Sequence, residues 1–385
     1  MSKLTIDRRS LLKAGAASLF LAGMPVSGLA KGKTTGRICV IILQGGMDGL
    51  ATVPPIGDPD LMRMRKAISP ENYLPLNDFF GLHPALKFYA QLMARGHASA
   101  VHATAFPYTK RSHFEGQNVI EGGGLSPFSE KTGWLGRSLD LAGVAGRSLS
   151  LDMPLILRGH HDNDNFYPAS IRGSGRPSSK LLEKIAMGHD IEAAQVFTKV
   201  ARKSEENIQV PRDPASLAQY AGQAMAKANG PLASVIRVDD FDTHANQVYQ
   251  DNTDEGRLAR QLGVVDEVIA GYRRGLGDAW DDTIILTLTE FGRTVAANGT
   301  WGTDHGYGSV GLLAGGTLVA NGVVADWPGL SKKDQFDQRD LMATIDYRSV
   351  CAACVEKTLG LEHDVIASQV FRQPDLPRVF DHLFA

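Results

Sequence analysis

The chain has 385 residues, of which 43% are hydrophobic and 21% are charged, and its formal net charge at pH 7 is −2. This composition is typical of a soluble globular protein, and the length allows one large hydrophobic core. Because the charges nearly balance and no long basic run occurs, nucleic acid is not expected as a partner. Beyond the N-terminal segment, no apolar stretch is long enough for a stable membrane span.

The N-terminal segment predicts export. Asp7-Arg8-Arg9-Ser10-Leu11-Leu12-Lys13 has the pattern of a twin-arginine signal, and the apolar stretch from Ala14 to Leu29 ends in a small-x-small cleavage site at Ala30. This stretch is short for a membrane anchor, which needs roughly 20 residues. We therefore expect residues 1–30 to be a signal peptide, the twin-arginine translocase to be a transient partner, and the mature protein to be periplasmic or secreted.

Residues 31–385 are predicted to form a single α/β domain. The first strand, Arg37 to Leu43, is nearly all apolar, as a strand covered on both faces would be. Further strands are predicted at Ala98 to His102, Met153 to Leu157, Ala233 to Val238, Thr283 to Leu288 and Val310 to Leu313. These strands alternate with helical patterns, which indicates a mostly parallel sheet covered by helices.

The helical patterns fill the stretches between the strands. They run from His83 to Arg95, from near Arg111, from about Asp254 to Gly275 and from about Tyr347 to Leu359, and a mostly helical middle region covers about residues 134–230. Ser112 and Glu115 have the spacing of a capping box at the start of a helix.

Carboxylates and imidazoles follow several of the predicted strands. Asp48 lies in a glycine-rich corner after the first strand, and Asp242 and His244 follow the strand that ends at Val238. In an extended segment, residues i and i+2 lie on the same face, so both side chains could reach one ion, with Asp240 as an alternative carboxylate. The other interpretation is a solvated turn in which Asp242 caps backbone amides.

A second pair of motifs follows the strand that ends at Leu288. Glu290 comes directly after it, and Gly302-Thr303-Asp304-His305-Gly306 presents Asp304 beside His305 between two glycines. A carboxylate bonded to a ligating imidazole would fix its tautomer. Because carboxyl ends of parallel strands meet at one sheet edge, we expect these groups to form a divalent metal site for zinc, calcium or manganese.

Three further residues are candidates for catalysis. Ser112 is a possible nucleophile at a helix N-terminus, where backbone amides favour an anion, although a simple helix cap is the alternative. Arg293 and Arg111 are candidates to hold phosphate or sulfate oxygens, which suit a guanidinium group. A structural salt bridge between Arg293 and Glu290 is the other interpretation.

The chain contains three cysteines. Cys39 lies within the first strand and is expected in the core. Cys351 and Cys354 form a Cys-x-x-Cys spacing inside a helical pattern, whereas a redox motif would open a helix after a strand. Two buried thiols are therefore expected, with a periplasmic disulfide or a redox or metal role as alternatives.

Several of these motifs belong to one recognisable pattern. They are Gln44-Gly45-Gly46-Met47-Asp48-Gly49-Leu50, Gly81-Leu82-His83-Pro84-Ala85-Leu86, Arg111-Ser112-His113-Phe114-Glu115, Asp242-Thr243-His244-Ala245-Asn246-Gln247, Thr289-Glu290-Phe291-Gly292-Arg293-Thr294, Gly302-Thr303-Asp304-His305-Gly306 and Asp346-Tyr347-Arg348. Through them the chain resembles the domain-of-unknown-function 1501 family of exported bacterial proteins over essentially all of the mature sequence. It departs from the family pattern before Asp242, where Asp239-Asp240-Phe241 replaces Gly-Gly-Trp.

This family is similar to a distant branch of the alkaline phosphatase, sulfatase and phosphoglycerate mutase superfamily. The resemblance implies an alkaline phosphatase-like, doubly wound, mostly parallel sheet sandwiched by helices. It also implies ligand roles for Asp48, Asp242 (or Asp240), His244, Glu290 and His305, and a nucleophile role for Ser112. One departure is Glu290-Phe291, which stands where the superfamily commonly has Asp-His, so that one imidazole is lost. A Cys/Ser-x-Pro-x-Arg motif typical of sulfatases is also missing.

The expected function is metal-dependent hydrolysis of a phosphate or sulfate ester, either a small molecule or an envelope component. The alternative is a non-catalytic exported binding or envelope-assembly protein that keeps the fold. A periplasmic thiol protein that uses Cys351 and Cys354 is a third hypothesis.

Overall fold

The computed structural model describes residues 36–149, 153–160, 163–165, 213–319 and 322–384. The predicted signal peptide and much of the predicted helical middle region lie outside the described residues. Within the described ranges, no helix is both long enough and apolar enough to cross a membrane.

The described strands form one large mixed sheet and a short ribbon. The strands are β1 (Arg37–Leu43), β2 (Leu74–Pro75), β3 (Gly81–Leu82), β4 (Ala98–Ala105), β5 (Gly146–Ser148), β6 (Asp164–Asn165), β7 (Ala233–Val238), β8 (Thr283–Thr289), β9 (Ser309–Ala314), β10 (Gly322–Val324) and β11 (Ile345–Asp346). The large sheet has the order β10-β4-β9-β8-β1-β7-β5-β6, with β11 also paired to β4, while β2 and β3 form the ribbon. Only β9 runs against its neighbours β4 and β8, so the predicted mostly parallel sheet is confirmed for the described strands.

Helices cover both faces of the sheet. They are α1 (Gly49–Thr52), α2 (Pro59–Arg65), α3 (Lys87–Ala94), α4 (His113–Gly122), α5 (Trp134–Ala142), α6 (Pro214–Met225), α7 (Arg257–Leu276), α8 (Tyr347–Leu359) and α9 (His363–Val365). Short 3₁₀ turns occur at Leu155–Leu157, Gly277–Asp282 and Phe380–His382, and a π-helical turn at Ile366–Val370. The predicted sandwich of helices around a sheet is therefore confirmed.

Strand β1 contributes to two hydrophobic clusters, one on each face of the sheet. Its even-numbered residues Ile38, Val40 and Ile42 pack with α5 and α8 on one face. The odd-numbered residues, from Cys39 to Leu43, pack with α3, α6 and α7 on the other. Both faces are buried, as the continuous apolar run of this strand predicts.

One strand prediction was wrong. Residues Met153 to Leu157 do not enter the sheet, and Leu155–Leu157 forms a 3₁₀ turn instead. The carbonyl of Arg158 accepts a hydrogen bond from Gly133 N at 3.0 Å, which ties the segment to the start of α5. Ile156 and Leu157 are buried there without strand pairing. A short apolar run does not by itself distinguish these two ways of burying side chains.

The topology brings the candidate residues to one edge of the sheet. Strand β1 is parallel to β7 and β8, so the loops after all three emerge at the same edge. Strand β4 is antiparallel to β9, which is antiparallel to β8, so the loop from β4 into α4 emerges there too. The segment that leads into β9 starts from this edge. This is where open α/β sheets bind ligands.

Candidate metal centre

Three side chains from distant parts of the chain meet at this edge. His113 is the first residue of α4, Asp242 lies in the loop after β7, and His305 lies in the segment before β9. One ligand atom from each lies within 4.8 Å of the others, which is close enough for all three to hold one ion.

A third imidazole completes the cluster. The Nε2 atom of His305 lies 2.9 Å from Nε2 of His113 and 2.9 Å from Nε2 of His244. Oδ1 of Asp242 lies 3.1 Å from Nε2 of His305 and 3.1 Å from Nε2 of His244. The structure therefore brings together three of the predicted site residues and adds His113.

The other nitrogen of each imidazole faces an oxygen. Nδ1 of His113 lies 2.7 Å from Oε1 of Glu290, and Nδ1 of His244 lies 3.0 Å from Oδ1 of Asp304. Nδ1 of His305 lies 2.9 Å from the carbonyl oxygen of Arg111. A carbonyl oxygen can only accept, and an ionised carboxylate likewise accepts, so each Nδ1 carries the proton.

With the proton on Nδ1, each Nε2 atom carries a lone pair, and the three Nε2 atoms lie close to one another and to the Asp242 carboxylate. Lone pairs that face each other at 2.9 Å repel unless a cation or a proton lies between them. The donor set of three neutral imidazoles and one carboxylate fits a divalent transition metal or zinc. The oxygen partners of Nδ1 are the supporting contacts that metal-bound histidines commonly have.

The electrostatics of the cluster favour an ionised Asp242. Partial burial acts to raise the pKa of Asp242, but the hydrogen bond from Arg293 and the positive charge of its guanidinium lower it below its usual value. The hydrogen bond to Glu290 raises the pKa of His113, while burial lowers the pKa of His305. Neighbouring imidazoles in one cluster therefore differ in basicity.

Glu290 supports the candidate metal centre through its contact with His113. Its side chain is fully buried, and Oε1 accepts hydrogen bonds from Gly45 N at 2.8 Å and from His113. A Cβ atom at Gly116 would lie 2.9 Å from Cβ of Glu290, so glycine lets α4 approach this closely. In this position Glu290 orients His113, which differs from the ligand role expected from the sequence.

A second glycine shapes the loop that carries Asp242. Gly45 has φ of +119°, and a Cβ atom there would lie 2.3 Å from the backbone nitrogen of Asp242. Phe241 N also donates to Gln44 O at 3.0 Å, which fixes the two loops together. The glycine-rich corner after β1 therefore positions Asp242.

Asp48 does not join the cluster. Its buried carboxylate forms an ion pair with Arg65 on α2 and accepts a hydrogen bond from Gln247 Nε2 at 2.6 Å. It also caps α1 through Ala51 N at 3.3 Å. The expectation that Asp48 would reach the same ion as Asp242 is therefore corrected, because a buried guanidinium already neutralises it.

Both arginines that were predicted to hold phosphate or sulfate oxygens form hydrogen bonds with other protein groups. Nη1 of Arg293 donates to Oδ1 of Asp242 at 2.8 Å, its Nε donates to Thr303 Oγ1 at 3.1 Å, and its side chain is fully buried. Nη2 of Arg111 donates to Oδ2 of the buried Asp340 at 2.6 Å. Arg293 thus orients the ligand Asp242, and Arg111 contributes its carbonyl rather than a free guanidinium to the site.

Ser112 occupies the N-cap position of α4, but its side chain makes no capping hydrogen bond. The Tyr108 hydroxyl lies between the two residues of the predicted capping box. It accepts from Ser112 N at 3.1 Å and donates to Glu115 Oε2 at 2.8 Å. The hydroxyl of Ser112 therefore caps no backbone amide of α4.

Two alternatives from the sequence are settled by these contacts. Asp240 is exposed and forms an ion pair with Arg257, so Asp242 is the carboxylate that reaches the cluster. Asp304 bonds His244 rather than its neighbour His305, and this hydrogen bond lowers its pKa. Asp304 therefore orients an imidazole, and the segment containing it supplies His305 as a ligand candidate.

The sequence reasoning missed His113. Phe291, where an imidazole is expected from the superfamily pattern, instead packs its ring 4.9 Å from the rings of both His113 and His305. The imidazole comes from α4 instead. Its signal was present in the Arg111-Ser112-His113-Phe114-Glu115 motif, directly after the suspected nucleophile.

Comparisons with solved structures give distant similarities. The lipoteichoic acid synthase LtaP from Listeria monocytogenes has 10% sequence identity, covers 91% of this chain and 79% of its own, and has a TM-score of 0.43. The C-terminal periplasmic domain of EptC from Escherichia coli has 11% identity, coverage of 92% and 89%, and a TM-score of 0.40. A protein in the alkaline phosphatase superfamily from Vibrio parahaemolyticus has 12% identity, coverage of 81% and 69%, and a TM-score of 0.36.

Comparisons of the sequence give one family. No curated protein matches the chain. The family model described as "Protein of unknown function (DUF1501)" matches residues 184–353, which include Asp242, His244, Glu290 and His305. The resemblance to the DUF1501 family inferred from the sequence motifs is therefore confirmed over this part of the chain.

Proposed function

We propose that this protein is an exported, metal-dependent hydrolase of phosphate or sulfate esters. The observation that carries the proposal is the convergence of three Nε2 atoms and the Asp242 carboxylate, while Nδ1 of each imidazole faces an oxygen. Three nitrogen donors favour zinc or manganese over calcium, which takes oxygen ligands.

Some residues of the cluster would bind the metal ion, and others hydrogen-bond the imidazoles that bind it. His113, His244, His305 and Asp242 would hold the ion. A bound divalent ion supplies a Lewis acid that polarises ester oxygens and lowers the pKa of a nearby hydroxyl or water. The supports, Glu290 among them, keep Nδ1 protonated and the Nε2 lone pairs aimed inward.

Ser112 is the proposed nucleophile. Its Oγ makes no capping hydrogen bond, and it stands at the N-terminus of α4 directly before His113. The free backbone amides of the helix end favour the negative charge that builds up there. Ser112 Oγ would bond to phosphorus or sulfur as the ester oxygen leaves with a proton, and water would then hydrolyse the serine ester. Direct attack by a water is the variant without a covalent step.

The proposed place of work is outside the cytoplasm. The twin-arginine signature at residues 7–13 and the cleavage site at Ala30 support passage through the twin-arginine translocase. This route usually carries folded proteins, which suits a metal ion loaded before export. The proposed substrate is then a small-molecule or envelope ester in the periplasm or outside the cell.

One observation favours a second candidate, a non-catalytic exported binding protein. Arg293 is buried against Asp242, and Arg111 is paired with Asp340, so neither predicted clamp is free to stabilise transferred oxygens. Under this alternative the metal ion would stabilise the fold and the surface around it rather than drive turnover.

Metal analysis and turnover assays separate the two candidates. We expect the purified mature protein to bind zinc or manganese and to hydrolyse 4-nitrophenyl phosphate or 4-nitrophenyl sulfate. Asp242→Asn should lose both metal and turnover, whereas Ser112→Ala should keep the metal and lose turnover. Asp240→Asn, in the same loop but paired with Arg257, is the matched control and should keep both. Bound metal without turnover on any ester would favour the binding protein, and protein that resists reconstitution with metal would contradict both.

A further inference from the structure

A groove runs beside the candidate metal centre along helix α4. Its cavity volume is about 320 Å³, and its lining includes Phe114, Gln117, Phe128, Arg158 and Arg237. This volume lies within the range of small-molecule sites, about 300–1,000 Å³. Phe114 directly follows the ligand candidate His113, and Gln117 lies four residues after His113 on the same helix face. The groove therefore begins within one helical turn of the centre.

Two aromatic rings stand exposed at the groove. Phe114 is 74% exposed and Phe128 is 53% exposed, and their ring centroids are 5.4 Å apart at an interplanar angle of 44°. The exposure of Phe128 is fixed by the backbone, because its N–H donates to Asn118 Oδ1 on α4 at 2.6 Å and its φ is +60°. Apolar rings held in solvent beside polar groups indicate a binding surface.

The polar groups of the groove are incompletely paired. Arg237 donates from Nη2 to Glu121 Oε1 at 2.7 Å, but its buried Nε has no hydrogen-bond partner. Arg158 is exposed, and its Nε donates to Met153 O at 3.3 Å, but it forms no ion pair with another described residue. The Gln117 side chain likewise makes no hydrogen bond within the described ranges. One buried donor without a partner, together with an arginine that has no ion pair, favours a ligand that carries hydroxyl groups and negative charge.

We propose that this groove binds the sugar rings of an anionic oligosaccharide. A sugar ring offers apolar C–H faces to Phe114 and Phe128 and hydroxyl groups to Gln117, while a sulfate or phosphate substituent pairs with Arg158. A nucleobase fits less well because two tilted rings do not form a parallel slot. An acyl chain would leave the amide and guanidinium donors unpaired. That the ester of the same saccharide reaches the metal centre rests on the proposed function, whereas saccharide binding does not.

Calorimetric titration of the purified mature protein tests the groove. The probes are a panel of neutral, sulfated and phosphorylated tetrasaccharides, with adenosine monophosphate and octyl phosphate as the competing ligand classes. We expect a charged tetrasaccharide to bind best. Phe114→Ala and Phe128→Ala should each weaken its binding about tenfold, while Phe114→Trp should retain it. Arg158→Gln should reduce the preference for charged over neutral saccharides.

Asp242→Asn separates this inference from the proposed function. It should keep saccharide binding while it loses the metal ion and turnover. Saccharide binding that is sensitive to Phe114, in a protein that hydrolyses no ester, would contradict the proposed function and support the groove. The groove proposal is overturned if no saccharide binds, if adenosine monophosphate or octyl phosphate binds more tightly, or if well-folded Phe114→Ala and Phe128→Ala proteins bind saccharide as the wild type does.

Discussion

Oε1 of Glu290 lies 2.7 Å from Nδ1 of His113 and 2.8 Å from the backbone nitrogen of Gly45. One buried carboxylate oxygen thus joins the loop after β8, the corner after β1 and the start of α4. The proton that His113 donates to it fixes the tautomer that leaves Nε2 free for a metal ion. The position of this ligand candidate therefore depends on a residue that does not itself reach the ion.

Replacing Glu290 should weaken metal binding without removing a ligand. Glu290→Gln keeps an acceptor oxygen but removes the negative charge that strengthens the bond to His113. We expect zinc affinity to fall about 10–100-fold, measured by competition with a chelator, while the fold is retained. Glu115→Gln is the matched control, because Glu115 lies on the same helix and bonds Tyr108. Unchanged affinity in Glu290→Gln would contradict the supporting role.

Asp48 should behave as a structural carboxylate. Asp48→Asn leaves Arg65 as an uncompensated buried charge, so we expect a loss of about 3–5 kcal/mol in the free energy of unfolding, measured by urea denaturation. Saturating zinc should still fill the centre. The double variant Asp48→Leu with Arg65→Met should recover much of this stability, since it removes both buried charges. Lost metal with unchanged stability would instead make Asp48 a ligand.

The sequence predicts the sheet well because burial imposes a simple pattern. Strands β1, β7 and β8 are mostly apolar and almost entirely buried, so they stand out from the loops that follow them. Parallel strands carry the residues after their carboxyl ends to one edge, so the approximate positions of Asp242 and His244 follow from the sequence. The strand predicted at Met153 to Leu157 is wrong because a 3₁₀ turn buries the same side chains.

The roles of individual polar residues are less predictable because they depend on tertiary partners. Asp48 is neutralised by Arg65, which lies 17 residues away on another helix. No local sequence pattern predicts that pairing. Arg293 turns inward to Asp242, 51 residues away in the chain. Glu290 supports an imidazole because Gly116 lets α4 approach it. The choice between ligand, support and clamp is made by packing.

Acid should destabilise the protein through His102. Its ring is fully buried, with Nε2 3.0 Å from Val53 O and Nδ1 accepting from Ala103 N at 2.7 Å, an arrangement that needs the neutral ring. Burial lowers the pKa of His102 from 6.5 to about 4. The unfolded chain therefore binds a proton first as pH falls. This contribution to stability is fully present above pH 6.5 and is lost as pH falls towards about 4.

The size of the effect can be measured against a variant. The lowered pKa of His102 corresponds to a change of about 3 kcal/mol in the free energy of unfolding between pH 6.5 and about pH 4. His102→Asn should start less stable but lose less of its free energy of unfolding between pH 7 and pH 4 than the wild type. An equal pH dependence in His102→Asn and wild type would contradict this account.

The three thiols should be unreactive in the folded protein. Cys39, Cys351 and Cys354 are free and buried, and burial raises the pKa of Cys39 to about 12 and the pKa of the other two above their usual value. Because the thiolate is the reactive form, we expect no reaction of native protein with a disulfide reagent and three equivalents after denaturation without reductant.

The number of thiols that react with the reagent in denatured protein distinguishes the thiol hypotheses. Cys351 and Cys354 lie three residues apart on α8, where both side chains pack into the core. Cys354→Ala should lower the count in denatured protein from three thiols to two and leave native protein unreactive. A wild-type count of one would instead show a disulfide between Cys351 and Cys354. Fast reaction of the native protein would favour the thiol-protein hypothesis, because a redox motif needs an accessible thiolate.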